Sequence, residues 1–142
     1  VLPTVGHVFL SVRNGDKEAL IPLARELQEL GFTLVATGGT CTALQEAGLN
    51  VRRVNKVSEG QPHIVDAIIN GDIDLMINTT KGRQSVSDGV SIRRAGLAYK
   101  VPYYTNLAAA AAAIQAIRGM QTLEFEFLPI QSYMSEGQEE AA

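Results

Sequence analysis

The chain has 142 residues, 46% hydrophobic and 19% charged, a balance that suits one domain with a buried core and argues against disorder or a coiled coil. A formal net charge of -3 disfavours nonspecific binding to nucleic acid, so the lysines must act locally. Cys41 is the only cysteine, which leaves no intrachain disulfide and no cysteine-rich metal set, and no apolar run approaches the length of a membrane span.

His7 to Val12 reads as a short buried strand. Asp16 then offers an N-cap to an amphipathic run with Leu20, Leu23, Leu27 and Leu30 on one helix face, stopped by Gly31. Thr33 to Ala36 is a second strand, Thr40 to Ala47 a short helix ended by Gly48, and Val51 to Val54 a third strand. After a polar stretch, Pro62 fits the first turn of a helix reaching about Asn70. Leu75 to Thr79 is the clearest buried strand. Ser87 or Asp88 can cap a helix from about Val90 to Tyr99, and Val101 to Tyr104 is a last short strand in which Pro102 suggests an edge or an interrupted ladder. Asn106 caps an alanine-rich helix whose small residues allow close packing on a sheet. Residues 1–130 form the domain, and 131–142 a polar C-terminal tail. Starting at Val1 without an initiator Met or a signal peptide, the chain is expected to be a cytoplasmic piece of something longer.

Alternating strands and helices predict a mostly parallel α/β sheet covered on both faces, with ligands beyond the carboxyl ends of the strands. Thr37-Gly38-Gly39-Thr40 lies at such an end. Its glycines admit close approach of backbone N–H groups, its hydroxyls add donors, and the helix that follows favours an anion, so a phosphorylated small molecule is expected there. Ser11, Asn78 and Thr80 fall at or just past other strand ends, and Lys56 follows the third strand. Lys17 stands in the first helical turn after strand one, where a cation opposes the helix dipole unless an anion is near. Each of these residues also has a plainer reading as a solvated side chain or a cap. Asp88 is placed either to accept ribose hydroxyls or to cap the next helix, and Ile92 can pack on a base. Cys41 reads as a small buried hydrophobe, and His63 with Asp66 as a local helical pair. Neither GxxxxGK[ST] nor GxGxxG occurs, and nothing places His7 and His63 as a metal pair, so an effector pocket suits the residues better than an active site.

Taken together, Leu10 to Lys17, Ala36 to Thr40, Val54 to Val57, Ile77 to Thr80 and Ile92 to Arg94 resemble the C-terminal regulatory domains of bacterial carbamoyl phosphate synthetase large subunits. Glu59 to Ile64 and Ala98 to Val101 follow in order, and the likeness runs from about Gly6 to Ala112 and is lost from about Leu123. The resemblance implies the methylglyoxal-synthase-like fold, a five-stranded parallel sheet flanked by helices. It implies regulation by UMP, an inhibitor, and IMP, an activator, with catalysis elsewhere and no cofactor in this domain. The phosphate contacts would be Lys17, Thr37, Thr40, Lys56, Asn78 and Thr80, with Ser11 nearby; Asp88 and Ile92 would face ribose and base. Tyr103 and Thr105 match the half of an ornithine site contributed from this side, although Gly38 stands where some members carry His. Implied partners are the rest of the large subunit and its small glutaminase subunit, with no nucleic acid, membrane or metal. The chain is also similar to methylglyoxal synthase, a lyase acting on a triose phosphate, but the position of that enzyme's catalytic aspartate falls on Gln61 and one of its histidines on Ser87. Inosine monophosphate cyclohydrolase is a third relative, whose likeness weakens after Val54.

Overall fold

The computed structural model of the chain describes residues 2–79 and 83–136, with segments 83–89 and 124–136 described by their backbone alone. Five strands form one parallel sheet: β1 (His7–Ser11), β2 (Thr33–Thr37), β3 (Val51–Val54), β4 (Leu75–Asn78) and β5 (Tyr103–Tyr104), in the spatial order β3-β2-β1-β4-β5. The helices are α1 (Lys17–Glu29), α2 (Gly38–Glu46), α3 (Ile64–Ile69), α4 (Arg83–Ala98) and α5 (Leu107–Glu136). From β1 the chain winds outward to β2 and β3, then returns to build β4 and β5 on the other side. The reversal lies between β1 and β4, where adjacent crossovers diverge and leave a crevice at the carboxyl edge.

Period-two alternation divides the core between the two faces. Val8, Leu10, Leu34, Ala36, Leu75 and Ile77 meet Leu20, Ala24 and Leu27 of α1, Cys41 and Leu44 of α2, and Ala110, Ile114 and Ile117 of α5. On the opposite face Phe9 and Met76 meet Ile64 and Ile68 of α3 and Ile92 and Ala95 of α4. Strands buried on both faces must be apolar almost throughout, which is why β1 and β4 stand out in the sequence.

Several boundaries differ from those expected, for local reasons. Asp16 adopts helical angles at the end of a 3₁₀ turn over Asn14–Asp16 and caps nothing with its side chain, because its carboxylate pairs with Arg13 at 3.0 Å. Pro62 lies before α3, not in its first turn. His63 is the N-cap there: its Nδ1 accepts from the Val65 N–H at 3.2 Å, while Asp66 Oδ2 accepts from the His63 N–H at 2.8 Å. Helix α4 begins at Arg83, so Ser87 and Asp88 fall inside it and not at its cap. Strand β5 is only Tyr103–Tyr104, since Pro102 has no N–H for the ladder and meets β4 through its carbonyl, which accepts from Met76 N–H at 2.9 Å. The expected cap at Asn106 is present, its Oδ1 accepting from Ala109 N–H at 2.8 Å. The backbone of α5 continues to Glu136, past the expected boundary at residue 130.

Ala110, Ala113, Ile114 and Ile117 carry α5 into the core at the 3-4 spacing of a helix face, so the alanine-rich run is a structural helix rather than a linker. Ile114→Ala should therefore lower stability by about 2–5 kcal/mol in urea denaturation. A serine at the exposed Ala116 should change it by less than about 0.5 kcal/mol. Equal effects at the two positions would place α5 outside the cooperative core.

A candidate anion site at the carboxyl edge of the sheet

Gly38 and Gly39 form the first turn of α2, ahead of the expected start at Thr40, and Thr37 is the N-cap residue. Thr37 makes no capping bond with its side chain; its hydroxyl donates instead to Ser11 Oγ at 2.8 Å, joining the ends of β2 and β1. The leading N–H groups of a helix have no intrahelical acceptors and carry its partial positive charge. Here that helix end opens at the sheet edge where ligands of this fold class bind.

Neither glycine adopts a positive φ, so backbone freedom is not what they supply. They supply room. A Cβ on Gly39 would lie 2.6 Å from Lys17 Nζ, and one on Gly38 would lie 4.0 Å from both Arg53 Nη2 and Lys56 Cε. Three cationic side chains thus converge on one helix N-terminus, from the start of α1, from β3 and from the turn after β3. Asn14 Oδ1 accepts from Lys17 Nζ at 2.5 Å, and Glu59 Oε1 holds the Lys56 backbone N–H at 2.7 Å. Among the described residues the ion pairs join Arg13 to Asp16, His63 to Asp66 and Arg118 to Glu26, none of them involving Lys17, Arg53 or Lys56. Like charges gathered at the positive end of a dipole raise the energy of the site, and an anion relieves both terms together.

Thr40 is almost wholly buried, and its hydroxyl serves the fold: it accepts from Val12 N–H at 3.0 Å and donates to Val12 O at 3.3 Å. Its backbone N–H, in the first turn of α2, is the group left for a ligand. Thr79 has a parallel task, its hydroxyl accepting from Arg13 N–H at 2.9 Å while its own N–H donates to Ser11 O at 2.9 Å. Ser11 and Asn78 are register partners at the ends of β1 and β4. Asn78 is 4% exposed and donates through Nδ2 to the Tyr103 hydroxyl at 2.8 Å, while the Arg93 guanidinium lies 5.8 Å from the Tyr103 ring centroid. Tyr103, Thr105, Asn78, Arg93, Arg13 and Asn106 line a cleft of ≈ 470 Å³ beside the cradle.

The structure therefore gathers Ser11, Lys17, Thr37, Thr40, Lys56 and Asn78 along one edge, with Tyr103 and Thr105 beyond Asn78. Ile92 is 4% exposed and packs in the interior with Phe9, Ile64 and Met76, so its side chain offers little surface to a base. Thr80 lies outside the described residues, and at Asp88 only the helical backbone is described. Sequence reasoning passed over Arg53 and Thr79. The signal for Arg53 was its parity with the apolar Val51 on β3, which aims it at the α2 side of the sheet. Among the described residues no three His, Cys, Asp or Glu side chains gather as a metal set, and no helix is long and apolar enough to cross a membrane.

Residues 19–105 match the family model of the MGS-like domain. The chain is 49% identical over 132 residues to the carbamoyl phosphate synthase large chain of Rhizobium meliloti (strain 1021), covering 93% of this chain and 11% of that protein. It is 47% identical over 133 residues to that of Myxococcus xanthus (strain DK1622), covering 94% and 12%. It is also 47% identical over 125 residues to the carbamoyl phosphate synthase large chain, C-terminal section, of Aquifex aeolicus (strain VF5), covering 88% and 23%. The chain thus spans about a tenth to a quarter of the length of these relatives. A solved structure of methylglyoxal synthase from Elizabethkingia anophelis NUHP1 superposes with a TM-score of 0.61 at 20% identity, over 80% of this chain and 79% of that one, and shares the fold.

Because Thr40 holds the start of α2 against the end of β1, Thr40→Val preserves shape but leaves the buried Val12 N–H without its acceptor. The expected loss is about 1–3 kcal/mol of unfolding free energy, measurable by urea titration. A variant as stable as the parent would show that the hydroxyl does not tie the two elements.

Proposed function

The chain belongs to the MGS-like domain family, and from that premise we propose that it is the effector-binding regulatory domain of a carbamoyl phosphate synthase large chain. On this reading it binds the phosphate of UMP, an inhibitor, or IMP, an activator, and catalyses nothing itself. The observation that carries the reading is the gathering of Lys17, Arg53 and Lys56 over the glycine turn of α2, none of them in an ion pair among the described residues. A phosphomonoester near pH 7 carries about -1.5 to -2 charges. It can meet those cations and the leading amides of α2 at once, so the same geometry serves both nucleotides. Ornithine is the further effector of the proposal, through Tyr103 and Thr105 on the side of the cleft away from the cradle. The rest of the large chain and the small glutaminase subunit are the proposed partners, and the cytoplasm the proposed location.

Regulation requires more than affinity. A nucleotide that bound two states of the parent enzyme equally would shift neither, and effective coupling is typically about 1–3 kcal/mol. The phosphate cradle is proposed as the common anchor. The parts that differ between nucleotides, base and ribose, must then reach elements that differ between states.

A lyase acting on a triose phosphate would need a carboxylate base, and Gln61 offers a neutral amide where the resemblance puts that base. Gln61 Nε2 donates to Asp66 Oδ1 at 3.5 Å, and the other oxygen of Asp66 is engaged in capping α3. Both features support the binding reading.

Calorimetric titration should give measurable binding of UMP and IMP. Lys56→Ala should weaken both by about ten-fold or more, the scale of a lost charged hydrogen bond. Unchanged titrations of both nucleotides would remove Lys56 from the site, and turnover of dihydroxyacetone phosphate would overturn the regulatory assignment.

A further inference from the structure

Arg53 is the member of the cationic cluster that lies outside the site residues expected from the sequence. It stands on the edge strand β3, in register with Ala36 of β2, and shares a face with the buried Val51. That parity carries its side chain over the carboxyl edge toward α2, where Nη1 donates to Gly38 O at 3.5 Å. The contact is long for a hydrogen bond and uses one of five guanidinium donors. Nη2 faces the open side of Gly38, at 4.0 Å from where a Cβ would stand, and Lys56 Cε lies at the same distance. The guanidinium is thus aimed at the helix end and lightly held, and among the described residues it makes this one hydrogen bond.

Arg52, its neighbour, is also exposed but projects to the other face of β3, the side of Val54 and the α3–α4 layer. The two arginines carry the same charge and differ in direction, which makes one a control for the other.

We propose that Arg53 is a third cationic contact of the cradle, binding non-bridging oxygens of the ligand's phosphoryl group together with Lys17 and Lys56; the inference rests on the effector-site reading above. A planar guanidinium can present two parallel N–H donors to a phosphate, which neither lysine can do. Lysines alone supply two point charges with no preferred orientation of the phosphoryl group, whereas Arg53 fixes the group's rotation and so the direction in which the rest of the ligand leaves the cradle.

The test is calorimetry on the chain with UMP and IMP, with inorganic phosphate, and with uridine as the phosphate-free counterpart of UMP, comparing Arg53→Gln, Arg53→Lys, Arg52→Gln and Lys56→Ala. Thermal melts verify folding, which an exposed position should preserve. Arg53→Gln should weaken UMP and inorganic phosphate by about ten-fold or more, leave uridine unchanged, and be only partly rescued by lysine; Arg52→Gln should match the parent. If Arg53→Gln behaves like Arg52→Gln while Lys56→Ala still weakens phosphate, Arg53 makes no contact and the site stands without it. If the parent chain binds inorganic phosphate but neither UMP nor IMP, the nucleotide reading fails while the phosphate titration still decides Arg53. If it binds none of the three, both fall.

Discussion

The hydroxyl of Thr40 is the joint on which the carboxyl edge depends. By accepting from and donating to the backbone of Val12, it locks the first turn of α2 to the end of β1. The residues that follow Val12 make the 3₁₀ turn that delivers Lys17 above Gly39, so one side chain sets both the helix end and the cation that faces it. Thr37 to Ser11 and Thr79 to Arg13 repeat the device across β2, β1 and β4. Buried hydroxyls here do what further strand residues would otherwise do, holding strand ends in register after the ladder stops.

Upon this frame the sequence places charges that the fold alone would not choose. A lysine in the first turn of a helix, and an arginine and a lysine beside the N-terminus of another, each run against the macrodipole. Away from the cradle, Arg118 pairs with Glu26 and Arg13 with Asp16. The cluster is local, so the net charge of -3 hides it. Stored electrostatic strain of this kind is released on binding an anion, and it costs the free domain little while the heads remain in water.

The strand ends were legible because each buried strand stops at a sharp change of residue type, and the parallel fold then dictates that those ends share an edge. Ser11, Lys17, Thr37, Lys56 and Asn78 follow from that rule. Helix starts were less legible. Asp16 has the chemistry of a cap, yet Arg13 three residues earlier competes for its carboxylate, and the chain enters α1 through a 3₁₀ turn. The segment 83–89 has no apolar periodicity to mark it as the beginning of α4, and the glycines of the turn look like loop when they are helix. Arg53 escaped notice because a charged residue on an edge strand ordinarily faces solvent; only its parity with Val51 reveals the direction. Ile92 shows the converse ambiguity, since an apolar residue at the right spacing for a pocket wall is equally at the right spacing for the core, where its side chain packs.

Asn78 joins the two halves of the edge. It closes β4 beside Ser11, and its amide is committed to the Tyr103 hydroxyl on β5, whose ring in turn faces Arg93 of α4. A group 4% exposed has no water to fall back on, so a ligand oxygen that drew the amide away would leave the hydroxyl to find another partner. Asn78 thus ties the end of β4, at the cradle's edge, to Tyr103 in the cleft. On the proposed regulatory reading, a nucleotide phosphate that engaged Asn78 would have a physical route to the ornithine side. The route needs no large movement, only a choice of partner by one buried amide.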